Sequence, residues 1–142
     1  MSGGDLLKRH LAWVEQDKLE VSEKLFGFNY QEKQQYESFV EGYVKKICDI
    51  YGETVLDEND LPFVAITSRV TVFDEAEGER LTFRIISPND NNTVDFESAE
   101  EVIGASYLSK VGKAMLLKGK NERVEVHTPQ GGLCYRIEKI SM

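Results

Sequence analysis

The sequence has few of the residues that mark secreted, membrane-bound or disordered proteins. Its 142 residues include two cysteines and three prolines, and 41% of them are hydrophobic. The longest apolar runs, such as residues 63–66, are far shorter than the roughly 20 apolar residues that a membrane-spanning helix needs. The N-terminus also lacks the charged-then-apolar layout of a signal peptide. We therefore expect a globular protein of the cytoplasm with reduced thiols and no membrane partner.

Motifs for catalysis and for metal binding are also missing from the sequence. Gly104 and Gly112 are too far apart for a phosphate-binding loop, and no G-x-S-x-G nucleophile motif occurs. His10 and His127 lie in different segments, without a second ligand at metal spacing. We therefore predict no catalytic residues, no metal site and no cofactor.

Negative charge is concentrated in the first part of the chain. The net charge is −8, and residues 1–60 contain seven basic against thirteen acidic residues, compared with ten against twelve in residues 61–142. This charge balance argues against binding of nucleic-acid phosphate backbones as the main role of the protein and favours a protein partner. A local basic cluster nevertheless occurs, either as a solvated helix face or as a docking surface; it consists of Lys110, Lys113, Lys118, Lys120 and Arg123.

The first fifty residues have the apolar period of two helices. One seam, with a lysine in it, consists of Leu7, Leu11, Val14, Lys18, Val21 and Leu25. After a break at residues 27–29, a second seam consists of Tyr36, Val40, Tyr43, Ile47 and Ile50. Because the turn between the two seams is short and contains glycine, residues 1–52 are predicted to form an antiparallel helical, coiled-coil-like hairpin. The pattern leaves open whether this hairpin stands free or packs on the rest of the protein.

Beyond residues 53–62, which have the composition of a linker, the apolar period changes to two. Strands are predicted at 64–72, 81–86 and 102–108, around Val124 and Val126, and from Leu133, whereas 94–101 is ambiguous. Ser109 is a suitable N-cap for a short helix from Lys110 to about Lys118. Residues 63–142 are therefore predicted to form a small antiparallel sheet with one short helix, which makes the fold class α+β.

Two segments of this second part resemble the C-terminal domain of the bacterial GreA/GreB transcript cleavage factors. Residues 108–116, LSKVGKAML, are similar to the family's LSPLGKALL, and residues 123–132, RVEVHTPQGG, are similar to its EVEVKTPGG. The resemblance covers about residues 62–142 and implies an FKBP-like domain. In Gre factors the loop that holds the first motif contacts RNA polymerase. The resemblance therefore implies a polymerase-docking surface made of Ser109, Lys110, Lys113 and Lys118.

This domain departs from the family's pattern at three positions. Lys110 stands where the family usually has proline, which adds a charge and removes a fixed φ. Leu117 and Asn121 stand where it usually has glycine, and asparagine tolerates the left-handed region better than leucine does.

The N-terminal hairpin resembles the Gre coiled coil more loosely, through residues 36–42, YESFVEG. In that family the hairpin enters the secondary channel of RNA polymerase, and acidic residues at its tip help to hold a catalytic magnesium ion. The family's tip motif, DLSEN, is missing here. The predicted tip carries Phe28, Asn29 and Tyr30, and its closest carboxylates, Glu23 and Glu32, lie one turn back on either side.

The resemblance implies a Gre-like transcription factor that binds RNA polymerase near the secondary channel and meets nucleic acid only through the transcription complex. The missing tip motif favours regulation of elongation without strong stimulation of cleavage, as in the Rnk-like proteins, which are similar at residues 61–70. Four alternatives remain: a cleavage factor that uses Glu23 and Glu32, an Rnk-like competitor of Gre factors, an interaction module unconnected to transcription, and a prolyl isomerase. The isomerase would need an aromatic-lined pocket, for which the chain offers Phe63, Phe73, Phe83, Phe96, Tyr107 and Tyr135.

Overall fold

The computed structural model describes residues 3–89 and 102–142, with side chains from Leu6 onward. The chain divides into two compact units, the hairpin unit Met1–Glu58 and the sheet unit Asn59–Met142, which we describe separately. In the hairpin unit, α1 spans Gly3–Phe26 and α2 spans Tyr30–Tyr51. Contacts between His10 and Tyr43, and between Glu23 and Lys33, show that α2 runs back along α1, as the spacing predicted.

The predicted seams are buried along most of their length. The buried apolar residues of the two helices are Leu6, Leu7, Val14, Val21, Tyr36, Val40, Tyr43 and Ile47. Leu25 and Ile50, which the spacing placed in the seams, are exposed. Near the turn, the stacked rings of Phe26 and Tyr36 close the seam in place of Leu25, and Ile50 lies in the last turn of α2, beyond the buried stretch.

Polar side chains also lie between the two helices. His10 Nε2 and the Tyr43 hydroxyl are 2.8 Å apart in a buried hydrogen bond. The Lys18 ammonium lies 3.0 Å from a Glu15 carboxylate oxygen and 3.6 Å from one of Glu41 on the other helix. These carboxylates, Glu15 foremost through its hydrogen bond, raise the pKa of Lys18.

The described residues of the sheet unit form five strands and one short helix, which confirms the α+β class. The elements are β1 Arg69–Asp74, β2 Glu79–Ile86, β3 Val102–Ser106, α3 Lys110–Met115, β4 Arg123–Thr128 and β5 Gly131–Ser141. The strand order is β3-β2-β1-β5-β4.

The prediction of a purely antiparallel sheet is wrong for one pair, because β2 and β3 run parallel. A parallel pair needs a crossover of a dozen or more residues, and residues 87–101 separate these strands. The ambiguous segment 94–101 lies outside the described residues.

Three predicted element bounds were also wrong. Residues 63–66 are all buried and do not alternate, so β1 begins only at Arg69, after a turn in which Thr67 has φ 75°. Similarly, β3 ends at Ser106, where the chain turns into the cap of α3. Helix α3 ends at Met115 because Leu117 adopts a left-handed φ of 68°.

The core of the sheet unit is apolar and lies on one face of the sheet. Its fully buried side chains include Phe63, Ile66, Ile85, Tyr107, Met115, Ile137 and Ile140. Cys48 and Cys134 are both free. Among the described residues, no helix is both long enough and apolar enough to cross a membrane.

Candidate functional site

Helix α3 carries the predicted docking lysines, and Ser109 fixes where it begins. The Ser109 hydroxyl accepts a hydrogen bond from Gly112 N at 3.0 Å and donates one to the Ser106 carbonyl at 2.7 Å. The N-cap predicted from the sequence is therefore present. Since its hydroxyl is used within the chain, Ser109 positions α3 rather than offering this group to a ligand.

The same helix is pressed closely against the end of β3. A Cβ placed on Gly112 would lie 2.0 Å from the Ser106 carbonyl oxygen, and the Met115 side chain is fully buried. Lys110 and Lys113 are exposed, and because they are three residues apart they lie on one side of the helix. The close approach of glycine to backbone therefore fixes the placement of both lysines.

The segment after α3 turns through two residues in the left-handed region. Leu117 has φ 68° and Asn121 has φ 71°, a backbone conformation that glycine adopts more easily than either residue. Leu117 N donates to the Val64 carbonyl at 2.8 Å, and Val64 N donates to the Lys118 carbonyl at 2.8 Å. These bonds hold the backbone of Lys118, whose side chain is exposed.

Arg123, the arginine of the predicted basic cluster, is paired with a carboxylate. Its Nε donates to Glu75 Oε1 at 3.0 Å, and its Nη2 bonds the other carboxylate oxygen. This hydrogen bonding lowers the pKa of Glu75 and raises that of Arg123. Arg123 lies on β4, in the sheet.

The tip of the hairpin presents aromatic rings. Phe28 is fully exposed and Tyr30 is 74% exposed. Asn29 caps α2 by accepting a hydrogen bond from Glu32 N at 3.1 Å. Just below the turn, the rings of Phe26 and Tyr36 stack at a centroid distance of 5.1 Å. The turn is therefore tied down on both sides while Phe28 points to solvent.

The two carboxylates nearest the tip are in different surroundings. Lys33 Nζ donates to Glu23 Oε1 at 3.1 Å, so a cation balances Glu23. Glu32 lies in the first turn of α2, where the helix dipole favours its negative charge. The sequence analysis did not identify Lys33. Glu23 and Lys33 each lie five residues from Phe28, and in an antiparallel hairpin two residues at equal distance from the turn lie next to each other.

Most of the aromatic residues suggested for an isomerase pocket belong to the core. Phe63, Phe83, Tyr107 and Tyr135 are buried, while Phe96 lies outside the described residues. Phe73 is half-buried on the other face of the sheet, beneath two arginines. In residues 3–89 and 102–142 no group of three or more histidines, cysteines and carboxylates is placed to hold a metal ion.

Comparison with known proteins identifies the family. The family model described as "Transcription elongation factor, GreA/GreB, C-term" matches residues 59–142. The chain belongs to the GreA/GreB family. The matched residues coincide with the sheet unit, Asn59–Met142, so the family's C-terminal domain contains the strands, α3 and its lysines.

Individual GreA/GreB relatives are distant. The chain is 29% identical over 105 residues to the transcription elongation factor GreA of Syntrophobacter fumaroxidans, a match that covers 72% of this chain and 63% of that protein, less than two thirds of its length. It is 29% identical over 136 residues to GreA of Dehalococcoides mccartyi, covering 90% and 81%. It is 25% identical to the transcription inhibitor protein Gfh1 of Thermus thermophilus, covering 88% and 78%. The crystal structure of Thermus aquaticus Gfh1 aligns with 97% of this chain and 90% of its own, at a TM-score of 0.48 and 19% identity.

Proposed function

We propose that this chain is a Gre-like transcription factor that binds RNA polymerase near its secondary channel in the cytoplasm and regulates elongation without strong stimulation of transcript cleavage. It acts through the polymerase and is not itself an enzyme. The similarity to both GreA and the inhibitor Gfh1 supports a role in elongation. In this proposal, the residues of the tip determine whether elongation is activated or inhibited.

The composition of the hairpin tip carries this proposal. A carboxylate pair that holds a divalent cation must be free to coordinate it, yet Glu23 already forms an ion pair with Lys33. The turn also presents a fully exposed aromatic residue, Phe28. Such a tip is suited to packing against a partner, because aromatic side chains provide large contact areas.

The sheet unit supplies the second contact in this proposal. Lys110 and Lys113 lie on one side of α3, and Ser109 and Gly112 fix that helix against β3. Two exposed lysines at a fixed spacing attract an acidic segment of the polymerase mainly by steering its approach. Lys118 follows on a backbone that Val64 holds in place.

The binding half of the proposal is tested with purified core polymerase. The full chain should bind core polymerase at micromolar concentration, and K110E/K113E should weaken this binding by about tenfold. The matched control is K45E/K46E, which makes the same charge change on exposed positions of α2 and should bind normally. No binding by the unsubstituted chain would refute the proposal, and equal losses in both variants would refute docking through α3.

The regulatory half is tested with stalled elongation complexes that contain magnesium. We expect that the full chain does not increase RNA shortening above the intrinsic rate. It should change the elongation rate, and the F28A variant should not. L19A, which truncates an exposed leucine in the middle of α1, should keep the full effect. RNA shortening that E23Q or E32Q abolishes would instead establish the second candidate, a cleavage factor with displaced tip carboxylates.

A further inference from the structure

Five of the chain's six arginines lie on one face of the sheet. They are Arg69, Arg80, Arg84, Arg123 and Arg136. Along each strand their neighbours in sequence point into the core, so these side chains are on the face opposite the apolar core. This face is distinct from α3 and its lysines, and the proposed function does not involve it.

The strand register gathers these arginines into rows across the sheet. Phe73 of β1 is the register partner of Arg80 on β2 and of Arg136 on β5, and Arg136 is in turn the partner of Arg123 on β4. We call Arg80, Phe73, Arg136 and Arg123 the arginine row. It crosses four neighbouring strands, which at about 4.8 Å per strand is a span of roughly 14 Å.

Two features set the orientation of the guanidinium groups. The Arg80 and Arg136 groups both lie over the Phe73 ring, 5.8 Å and 5.5 Å from its centroid. Glu138 accepts from Arg80 Nε at 2.7 Å, and Glu75 pairs with Arg123 in the same way. Because each guanidinium has five N–H donors and the Arg80 and Arg123 side chains are 69% and 65% exposed, donors remain for a ligand.

The arrangement places like charges directly opposite each other. Arg123 faces Arg136 across β4 and β5, and Arg69 faces Arg84 across β1 and β2. Such cross-strand pairs destabilise a sheet, and local features that oppose folding concentrate at functional sites. A face on which guanidinium groups are gathered in this way is suited to an anionic ligand.

We propose that this face binds the phosphate backbone of single-stranded RNA. A protein interface is usually built around an apolar core, but the centre of this face is mostly polar. It holds Arg80 and Arg136, the Phe73 ring that they cover, and the hydroxyl groups of Thr71 and Thr82. Arginine forks match phosphate oxygens, and their planes stack on splayed bases. The two threonines, which are register partners, supply donors and acceptors for the 2′-hydroxyl groups that distinguish RNA from DNA.

A single strand suits this face better than a duplex does. Reading a duplex groove requires a helix or a two-stranded ribbon that enters it, whereas this face consists of the bodies of β2, β1, β5 and β4. The net charge of −8 opposes long-range attraction of any polyanion, so the binding is of moderate affinity and responds strongly to salt.

The test is fluorescence anisotropy of a labelled oligouridylate of roughly 20 nucleotides titrated with the full chain, without polymerase. At about 50 mM salt we expect a dissociation constant of tens of micromolar, and a slope of log K against log salt of about −2 for three neutralised phosphates. R80Q/R136Q should weaken binding about tenfold and reduce the magnitude of the slope from about 2 to below about 1. The matched control K45Q/K46Q removes the same charge from exposed positions of α2 and should remain within about twofold of the unsubstituted chain.

Several outcomes would overturn the proposal. The first is the absence of saturable binding at about 50 mM salt, and the second is an equal loss of affinity in the two variants. The third is tighter binding to a DNA strand of the same length. The fourth is displacement of the RNA by an equal charge of polyglutamate, which would indicate an acidic protein ligand. If R80Q/R136Q loses its circular dichroism spectrum, R69Q/R84Q replaces it, with the same expected weakening. Because polymerase is absent, failure here leaves the proposed function standing, and failure of the polymerase assays leaves this proposal standing.

Discussion

The hairpin unit and the sheet unit bury their polar side chains for different purposes. In the hairpin, the bond between His10 and Tyr43 and the ion pair between Lys18 and Glu41 join residues of opposite helices. In the sheet unit, the buried polar side chains bond to nearby backbone: Asp74 accepts from Ala76 N and Glu77 N, and Ser68 bonds the backbone of Ala65.

This difference shows that the alignment of helices and the alignment of strands are fixed by different interactions. Two helices with apolar seams can slide along each other, so paired polar groups between them fix one alignment, as buried polar residues do in coiled coils. The strands of the sheet unit are already aligned by their ladders and by interlocking apolar side chains, so their polar groups need only shape the turns. The hairpin should therefore respond to changes of charge, and the sheet unit to changes of volume.

The largest expected effect is a change of volume in the sheet unit. G112A places a methyl group where the Ser106 carbonyl already lies and should cost about 3 kcal/mol in the free energy of unfolding. Urea unfolding followed by near-ultraviolet circular dichroism of the buried tyrosines measures the change.

The matched control for this prediction lies in the hairpin. An added Cβ at Gly42 meets nothing within 4 Å, and G42A should stabilise α2 by up to about 1 kcal/mol because alanine favours helix. A loss of stability in G42A, or none in G112A, would contradict the comparison.

The next effect is a change of charge inside the hairpin. Burial lowers the pKa of His10 from 6.5 to about 4. Between these values the unfolded chain binds more protons than the folded one, so the hairpin should lose roughly 2 kcal/mol as the pH falls from about 7 to about 5. Fluorescence of Trp13, the only tryptophan in the chain, reports hairpin unfolding at each pH.

Substitution of the histidine isolates its contribution from that of other titrating groups. H10Q keeps a polar partner for Tyr43 but cannot gain a charge, so its stability should change less with pH over the same interval. If the unsubstituted chain and H10Q have parallel pH profiles, His10 is not the responsible group.

A smaller effect is expected where the backbone of the sheet unit is strained. L117G should raise the free energy of unfolding by about 0.5–1 kcal/mol, since leucine is unfavourable at φ 68° and the greater freedom of unfolded glycine offsets only part of the gain. N121G should change stability less, because asparagine tolerates φ 71°. Urea midpoints of the two variants give the order directly, and a larger gain in N121G would reverse the argument.

The smallest effect is expected from the exposed ion pair of the sheet unit. E75Q removes the carboxylate that Arg123 contacts, but an exposed pair is screened by solvent and salt. The urea midpoint should therefore stay unchanged within error. A shift as large as that of L117G would show that surface charge matters in this unit as well.

The sequence predicted the hairpin well because its signal is local. The seams through Val14 and Val40 follow the helical period, and the break at residues 27–29 coincides with the observed turn. The seam ends at Leu25 and Ile50 were wrong because a period does not report where the opposite helix stops. The contact between His10 and Tyr43 joins residues that the periodic pattern does not distinguish from their apolar neighbours.

In the sheet unit, the sequence failed where the deciding contacts are distant. The alternation through Val70 and Val72 predicted β1, but the run before it is buried on all sides and does not alternate. The parallel pairing of β2 and β3 follows from a crossover that no single residue signals. The arginine row joins Arg80 to Arg123 and Arg136 through the strand register, which composition and spacing do not contain.

The stacked pair of Phe26 and Tyr36 and the Asn29 cap give the hairpin tip a thermodynamic advantage. A flexible loop loses much conformational entropy when a partner immobilises it. A turn that is already ordered loses little more than the entropy of the two side-chain torsions of Phe28. In the proposed function, a partner therefore needs only a small pocket to retain Phe28.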